Sequence, residues 1–317
     1  MKVLVIKLGA LGDVVLAFQP FADIRAHHPG AEITLLTTAP FAGLLASSPW
    51  FDRVAIDRRP AWWNLPGILG LRRTLRGFDR VYDLQTSHRS STYFRLAGRP
   101  PWSGIARGAS HPHANPGRNH MHTVARQRDQ LAMAGVPPGP KADLKWLTTH
   151  VSVCPWERAG VGVSGKTARY ALLIPGAAPH RLEKRWPAER FGELAKWLAA
   201  RDITPVVAGT AGEKPLASAI LAACPGAIDV TGQTTLPELA GLAARAAFAI
   251  GNDTGPMHLA AAVGCPGVVL FGPHSDPALA APPGMTVLRA PVLADLSIDR
   301  VAGALPRGHT DRLIATP

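Results

Sequence analysis

Hydrophobic positions along the chain fall into two alternating patterns. Short, nearly continuous apolar runs, KVLVIKL (2–8), AEITLLTT (31–38), FDRVAID (51–57) and DRVYDLQ (79–85), read as buried strands. Between them, DVVLAFQPFADIRAHHPG (13–30), APFAGLLASSP (39–49) and GILGLRRTLRGF (67–78) show helical spacing. The rhythm weakens from about Pro100 to Pro140, where HTVARQRDQLAMAGV (122–136) reads as a helix, and 141–168 reads as a linker and domain edge. It then restarts. YALLIPG (170–176), ITPVVAGT (203–210), AIDVTG (227–232), AFAIGN (247–252) and PGVVLFGP (266–273) read as strands. Helices are expected over 187–202, 213–224, 235–246 and 255–264.

This alternation predicts α/β architecture, with parallel sheets covered by helices on both faces. Two βαβ domains, 1–160 and 161–317, are the simplest division of the chain, with the last helix expected to pack back on the first domain. Ligands of open parallel sheets bind beyond the carboxyl ends of the strands, so the expected site is a cleft between the domains.

Composition narrows the class. The 317 residues are 47% hydrophobic, which fits a folded protein and excludes wholesale disorder. Thirty-four Lys and Arg against 22 Asp and Glu give a net charge of +12. That excess favours an acidic partner, either a phosphate-bearing substrate, nucleic acid or an anionic membrane face; biased codon usage explains the same numbers. Cys154, Cys224 and Cys265 are too scattered for a disulfide framework or a CxxC metal site, and they fit a reducing cytoplasm. Lys7 and Asp13 interrupt the apolar start that would suggest a secretory signal, and no 18-residue apolar run suggests a transmembrane helix.

Three stretches carry candidate chemistry. In GNDTGPMHLAAAVG (251–264) a strand ends in a turn and a helix begins near Pro256, with Asp253 or Thr254 suited to the N-cap. Free N–H groups and the helix dipole at such a start suit a pyrophosphate, and Gly255 allows close backbone approach. His258 lies one turn further in. In IPGAAPHRLEKRWPAERF (174–191), Arg181, Lys184 and Arg185 sit in a loop after a strand, placed for phosphate charge or for solvent. The opening turn, KLGALGDVV (7–15), is no dinucleotide fingerprint, because GALGD lacks the third glycine of GxGxxG. There Gly9 and Gly12 permit a tight backbone that presents Asp13, either as a helix cap or as a catalytic acid–base.

With these motifs in their order, joined by YDLQTSHRSS and VVAGTAGEK, the chain resembles glycosyltransferase family 9, the ADP-heptose:lipopolysaccharide heptosyltransferases, over nearly its whole length. The resemblance implies a GT-B fold: two Rossmann-like βαβ domains facing across a cleft, the first for the sugar acceptor and the second for the nucleotide sugar. It implies an inverting, metal-independent transferase with no cofactor, the ADP-sugar being a substrate. Carried over by position, Asp13 matches the general base and Lys184 the lysine that neutralises the leaving diphosphate. Asp253, Thr254, Gly255 and His258 match the turn and helix start that hold phosphates and sugar, and Glu213 the acidic contact to the adenosine ribose. Gly9, Gly12 and Arg89 fall to the acceptor side.

Arg58, Arg59, Arg72, Arg73, Arg76 and Arg89 either bind an acidic Kdo or phosphorylated core sugar or form a solvated helix face. With Trp62 and Trp63 they also suggest peripheral contact with the inner leaflet of the inner membrane; buried packing is the other reading of that aromatic pair. His111, His113, His120 and His122 match no standard metal spacing. Nucleic acid is not an expected partner, because no recognition helix or aromatic platform is legible. The expected location is the cytoplasm.

Overall fold

The structure is a computed structural model describing residues 1–149, 169–178 and 181–306. The chain divides into two compact units, Met1–Trp146 and Leu147–Pro317. The join expected near residue 160, together with Cys154, lies outside the described residues.

The first unit holds a six-stranded, all-parallel sheet. Its strands are β1 (Lys2–Ile6), β2 (Glu32–Thr37), β3 (Arg53–Ile56), β4 (Arg80–Asp83), β5 (Trp102–Gly104) and β6 (His111–Pro112), in the spatial order β3-β2-β1-β4-β5-β6. The central β1 pairs with β2 and β4, and its residues Val3 to Ile6 are fully buried, as a strand covered on both faces requires. Its helices are α1 (Leu11–Val15), α2 (Phe18–His27), α3 (Ala39–Ala46), α4 (Leu65–Leu75), α5 (His88–Leu96) and α6 (Thr123–Met133).

The helix expected over 13–30 is two helices, α1 and α2. Pro20 explains the break: in one continuous helix its ring would collide with the carbonyl of Leu16, whereas the first turn of a new helix tolerates it. Helix α5 and strands β5 and β6 were not legible from periodicity. α5 is polar along most of its length, but a reciprocal Ser87–Ser90 capping box starts it, and it buries Tyr93 and Phe94.

The second unit repeats the plan. Strands β7 (Tyr170–Ile174), β8 (Thr204–Val207), β9 (Ile228–Asp229), β10 (Phe248–Asn252), β11 (Gly267–Phe271) and β12 (Thr286–Arg289) lie in the order β12-β11-β10-β7-β8-β9, all parallel. Its helices are α7 (Ala188–Ala199), α8 (Lys214–Ala223), α9 (Leu236–Arg245), α10 (Gly255–Ala262), α11 (Pro277–Ala280) and α12 (Ile298–Gly303). Helix α7 shows why the sequence pattern worked here: Phe191, Leu194, Ala195 and Leu198 recur at helical spacing and are all fully buried in the core. Each large side chain so buried contributes about 1.5–3 kcal/mol. The last described helix, α12, packs on α7 of its own unit.

Both sheets therefore have the doubly wound order, with the first strand beside the fourth. The chain leaves β1 toward one edge and returns at β4 toward the other; β7 and β10 repeat this. Crossovers on opposite sides of that junction open a crevice at the carboxyl ends, which is where such sheets bind ligands. The opening turn follows β1, and the GNDTG turn follows β10, so each candidate motif stands at a switch point.

Candidate active site

At the first switch point, β1 ends in Lys7, Leu8 and Gly9. Gly9 has φ +126°, and a Cβ there would come within 2.8 Å of the Phe41 ring, so this position requires glycine. Gly12 plays a different part from the one expected: it is an ordinary helical residue of α1, outside the left-handed region. Asp13 is not the N-cap either. Ala10 holds that position, and Asp13 is the third residue of α1, half-buried, with no hydrogen bond or ion pair to its carboxylate among the described residues. A first-turn carboxylate is held by the helix dipole while both oxygens stay available to a ligand.

The loops around Asp13 are braced. Leu8 N–H donates to Gln85 Oε1 at 2.8 Å, joining the ends of β1 and β4. Thr38 Oγ1 and Arg59 Nη2 both donate to Leu8 O at 3.1 Å. Arg59 is thus the arginine of the 58–89 group that the structure brings to the opening turn, and its φ of 50° is a conformation non-glycine residues seldom adopt. Arg89 is held by its own neighbours. Its guanidinium donates to Tyr93 Oη at 2.7 Å and Pro60 O at 2.8 Å and stacks 4.9 Å from the Trp62 ring, while Tyr93 Oη donates to Asp57 Oδ2 at 2.6 Å. Arg89 braces the loop that carries Arg59.

Lys7 was missed as a functional residue, because a lysine in an apolar run reads as an interruption. Only 3% of it is exposed, and its Nζ donates to Leu84 O at 3.1 Å. Burial lowers its pKa to about 8, opposed by the Asp13 carboxylate, assisted by Arg126 and opposed by Asp83. Asp83, fully buried at the end of β4, is pushed up to about 6 by burial, against hydrogen bonds that include those from the Thr86 and Gln85 N–H groups. The Asp13 carboxylate attracts the buried Lys7 ammonium and offsets part of the cost of burying it.

The Lys7 shift fixes a pH dependence. Below pH 8 the amine is charged in both states, and the fold bears the cost of burying it. Between about 8 and 10.5 the folded protein has released a proton that the unfolded chain still holds, so stability from this residue rises with pH, by about 3 kcal/mol in all. Lys7→Met removes the titration. Denaturant midpoints at pH 7, 8.5 and 10 are expected to show wild type gaining on the variant; a pH-independent difference would refute the assignment.

The histidine segment is a hydrogen-bonded brace. His113, with a fully enclosed side chain, pairs through Nε2 with Asp129 at 2.8 Å, and Arg118 Nε donates to His113 Nδ1 at 3.2 Å. Burial lowers the His113 pKa, so the ring is neutral, taking the Arg118 bond at Nδ1 and donating from Nε2. His122 accepts from Val124 N–H and His111 contacts Ser110 Oγ. Among the described residues no group of three or more His, Cys, Asp or Glu could hold a metal ion.

At the second switch point, Lys184 and Asp253 meet, although 68 residues separate them in the chain. Lys184 Nζ lies 2.7 Å from Asp253 Oδ2, and His258 Nε2 stands 4.0 Å from Asp253 Oδ1. Lys184 is 21% exposed and Asp253 11%, so the pair is mostly buried but still reached by solvent. Thr254 occupies the N-cap of α10 but its side chain makes no capping bond, and Pro256 follows in the first turn. The helix start therefore offers N–H groups and positive dipole without a side-chain acceptor to satisfy them. Of the three loop cations, Lys184 is the one paired with Asp253. Arg181 pairs with Glu183, and Arg185 donates to Ala177 O at 3.0 Å.

Asn252 positions these parts, a role with no local signature in the chain. Its side-chain amide donates to Pro175 O at 2.7 Å and Gly176 O at 3.3 Å, while its Oδ1 accepts from Trp186 N–H at 2.9 Å. One buried residue thus ties the end of β10 to the end of β7 and to the loop carrying Lys184, as Gln85 ties β1 to β4. Trp186 is anchored in turn through Nε1 to Leu296 O at 3.0 Å. Glu213 closes a capping box with Thr210, accepting its N–H at 2.6 Å and its hydroxyl at 3.0 Å. The same carboxylate lies over Gly176, where a Cβ would overlap it, so Glu213 borders the switch point.

The family described as Glycosyltransferase family 9 (heptosyltransferase) matches residues 68–284. Lipopolysaccharide heptosyltransferase 1 of Escherichia coli strain K12 is 26% identical over 295 residues, covering 88% of this chain and 90% of that protein. Among solved structures, the E. coli ADP-heptose lipopolysaccharide heptosyltransferase II superposes with a TM-score of 0.75 at 25% identity, covering 96% of this chain and 97% of the other. E. coli heptosyltransferase WaaC with ADP-2-deoxy-2-fluoro heptose gives 0.76 at 24%, over 96% and 98% of the two chains.

Proposed function

The chain belongs to glycosyltransferase family 9, a family of heptosyltransferases, and from that premise we propose that it moves a heptose from ADP-heptose onto a lipopolysaccharide core acceptor, with inversion. The observation that carries this reading is the Lys184 ammonium, positioned by Asp253 beside the uncapped start of α10, a donor and a positive helix end of the kind a leaving diphosphate needs. It is supported by the relatives, which are named lipopolysaccharide heptosyltransferases, one of them solved with an ADP-heptose analogue.

In this mechanism the acceptor hydroxyl attacks the anomeric carbon from the face opposite ADP. Asp13 takes the hydroxyl proton as the new C–O bond forms, and the bond from the anomeric carbon to the diphosphate breaks with its electron pair on ADP. The negative charge that develops is met by Lys184 and the N–H groups at Thr254 and Gly255, with no metal ion required. His258 and Asp253 orient the heptose, and Glu213 takes a ribose hydroxyl. Lys7 and Arg59 belong to the acceptor side, Arg59 holding in place the loop that presents Asp13.

The test is a panel of ADP-, UDP- and GDP-sugars assayed with a lipopolysaccharide core acceptor, with and without EDTA. Transfer is expected from ADP-heptose alone, with inverted anomeric configuration by NMR and a rate that EDTA leaves within twofold. Equal transfer from another nucleotide sugar, retention, or metal-restorable loss in EDTA would overturn the corresponding part.

The membrane reading rests on the segment after β3. Trp62 and Trp63 are not buried packing: they are 46% and 85% exposed, and Leu65 and Leu69 are 70% and 51% exposed. Arg58, Arg59, Arg72, Arg73 and Arg76 lie exposed in the same segment, and 58–78 contains no acid. Apolar residues that insert between acyl chains, ringed by cations worth about 1 kcal/mol each at an anionic surface, suit peripheral binding to the cytoplasmic face. No helix among the described residues is long and apolar enough to cross a membrane. Flotation with phosphatidylglycerol vesicles is expected to carry the protein up, and Trp63→Ser with Leu65→Ser to weaken binding at least tenfold. Unchanged flotation of the variant would exclude this surface.

A further inference from the structure

We propose that a cavity along α5 is a binding site for a phosphate group, separate from the site for the donor diphosphate. The cavity has a volume of about 500 Å³ and lies between one face of α5 and the loop after β5. Arg95, Arg99 and Arg107 line it together with His88, Ser91 and Phe94, and no acidic residue contributes. None of the three guanidiniums has an ion pair or hydrogen bond among the described residues. The Ser91 hydroxyl likewise has no hydrogen-bond partner.

The three exposed arginines line one cavity with no acid among its lining, so the cavity has a positive potential that favours an anion. Backbone geometry points the same way. Gly98 and Arg99 have φ of 91° and 59°, and the second position is one where glycine or asparagine is usual. The turn brings Arg99 back beside Arg95, and a strained arginine at a cavity wall is the kind of outlier that function maintains. Guanidinium forks match the paired oxygens of a phosphate better than ammonium groups do, and all three cations here are arginines.

Position identifies the ligand further, on the reading of this chain as a glycolipid-modifying transferase. Helix α5 leaves the carboxyl end of β4, beside the turn that presents Asp13. His88 marks that end of the cavity, and Arg95 lies seven residues on, roughly 10 Å along the helix axis. An acceptor whose hydroxyl reaches Asp13 would thus place a phosphate about one or two sugar units away among Arg95, Arg99 and Arg107. Free phosphate or pyrophosphate shares the chemistry and is the other source of such a group.

The experiment uses the full chain, with the donor site filled by saturating ADP. Titration with inorganic pyrophosphate, followed by calorimetry, is expected to show a second site that Arg95→Gln/Arg99→Gln/Arg107→Gln weakens at least tenfold. Arg107→Gln alone, on an exposed loop, is expected to give part of that loss and guards against misfolding of the triple variant. Equal pyrophosphate affinity in wild type and both variants overturns the site, whatever the enzyme transfers. The source is read from kinetics: KM for a phosphorylated acceptor should rise ten- to a hundredfold in the triple variant. KM for the enzymatically dephosphorylated acceptor, KM for ADP-heptose and kcat should stay within twofold. Pyrophosphate binding lost with no change in acceptor KM would keep the phosphate site and assign it to a free anion.

Discussion

Asp13→Asn is expected to lower kcat by about a thousandfold while the affinity for ADP-heptose stays within twofold, since positioned general bases typically contribute 10²- to 10⁴-fold. The side chain has the attributes this requires. It is half-buried just beyond the carboxyl end of β1, and its oxygens have no hydrogen-bond or ion-pair partner among the described residues. Its structural contribution is small by comparison: a first-turn carboxylate on a five-residue helix is worth about 0.3–1 kcal/mol through the dipole. A large loss of rate with a near-unchanged melting temperature therefore separates chemistry from folding. Stabilisation of the variant by ADP-heptose, read as a thermal shift, checks that the donor still binds. Turnover within tenfold of wild type would leave the proposed mechanism without its base.

The second large effect is expected from Lys184→Ala. Removing a charge-stabilising donor from a preorganised site typically costs 10²- to 10³-fold in kcat. Here the loss has two origins. The diphosphate loses its principal cation as negative charge develops, and Asp253, only 11% exposed, is left without its 2.7 Å partner beside an incoming anion. Lys184→Arg restores charge but not shape, and an intermediate rate is expected. Steady-state kinetics distinguish this role from ground-state binding. If KM for the donor rises and kcat is preserved, Lys184 holds substrate and transition state equally and does not assist departure of ADP.

Much of the fold was legible because α/β architecture writes itself into local pattern. Fully buried parallel strands need continuous apolar runs, and amphipathic crossovers need a 3.6-residue period, so β1, β2, β7, β8, β10 and helix α7 could be located from one sequence. Elements with little local signature were lost. Strands β5 and β6 are three and two residues long, and α5 is held by a serine capping box and one aromatic face. The boundary between α1 and α2 turned on Pro20, whose effect depends on whether a helix is interrupted there.

For the site, the sequence by itself determined which residue types stand at the carboxyl ends of strands: Asp13 after β1, Lys184 after β7, and Asp253 with an open helix start after β10. Those follow from turn chemistry and the order of elements, both of which are local. Tertiary structure alone decided which of them meet. It paired Lys184 rather than Arg181 or Arg185 with Asp253, tied Arg89 to the loop at Pro60, and brought Arg59 to the opening turn. It also gave purpose to Lys7, Gln85 and Asn252, which look unremarkable in the chain. The reason is physical: a side chain's protonation, partners and reach depend on burial and on neighbours tens of residues away, which hydrophobic period does not encode.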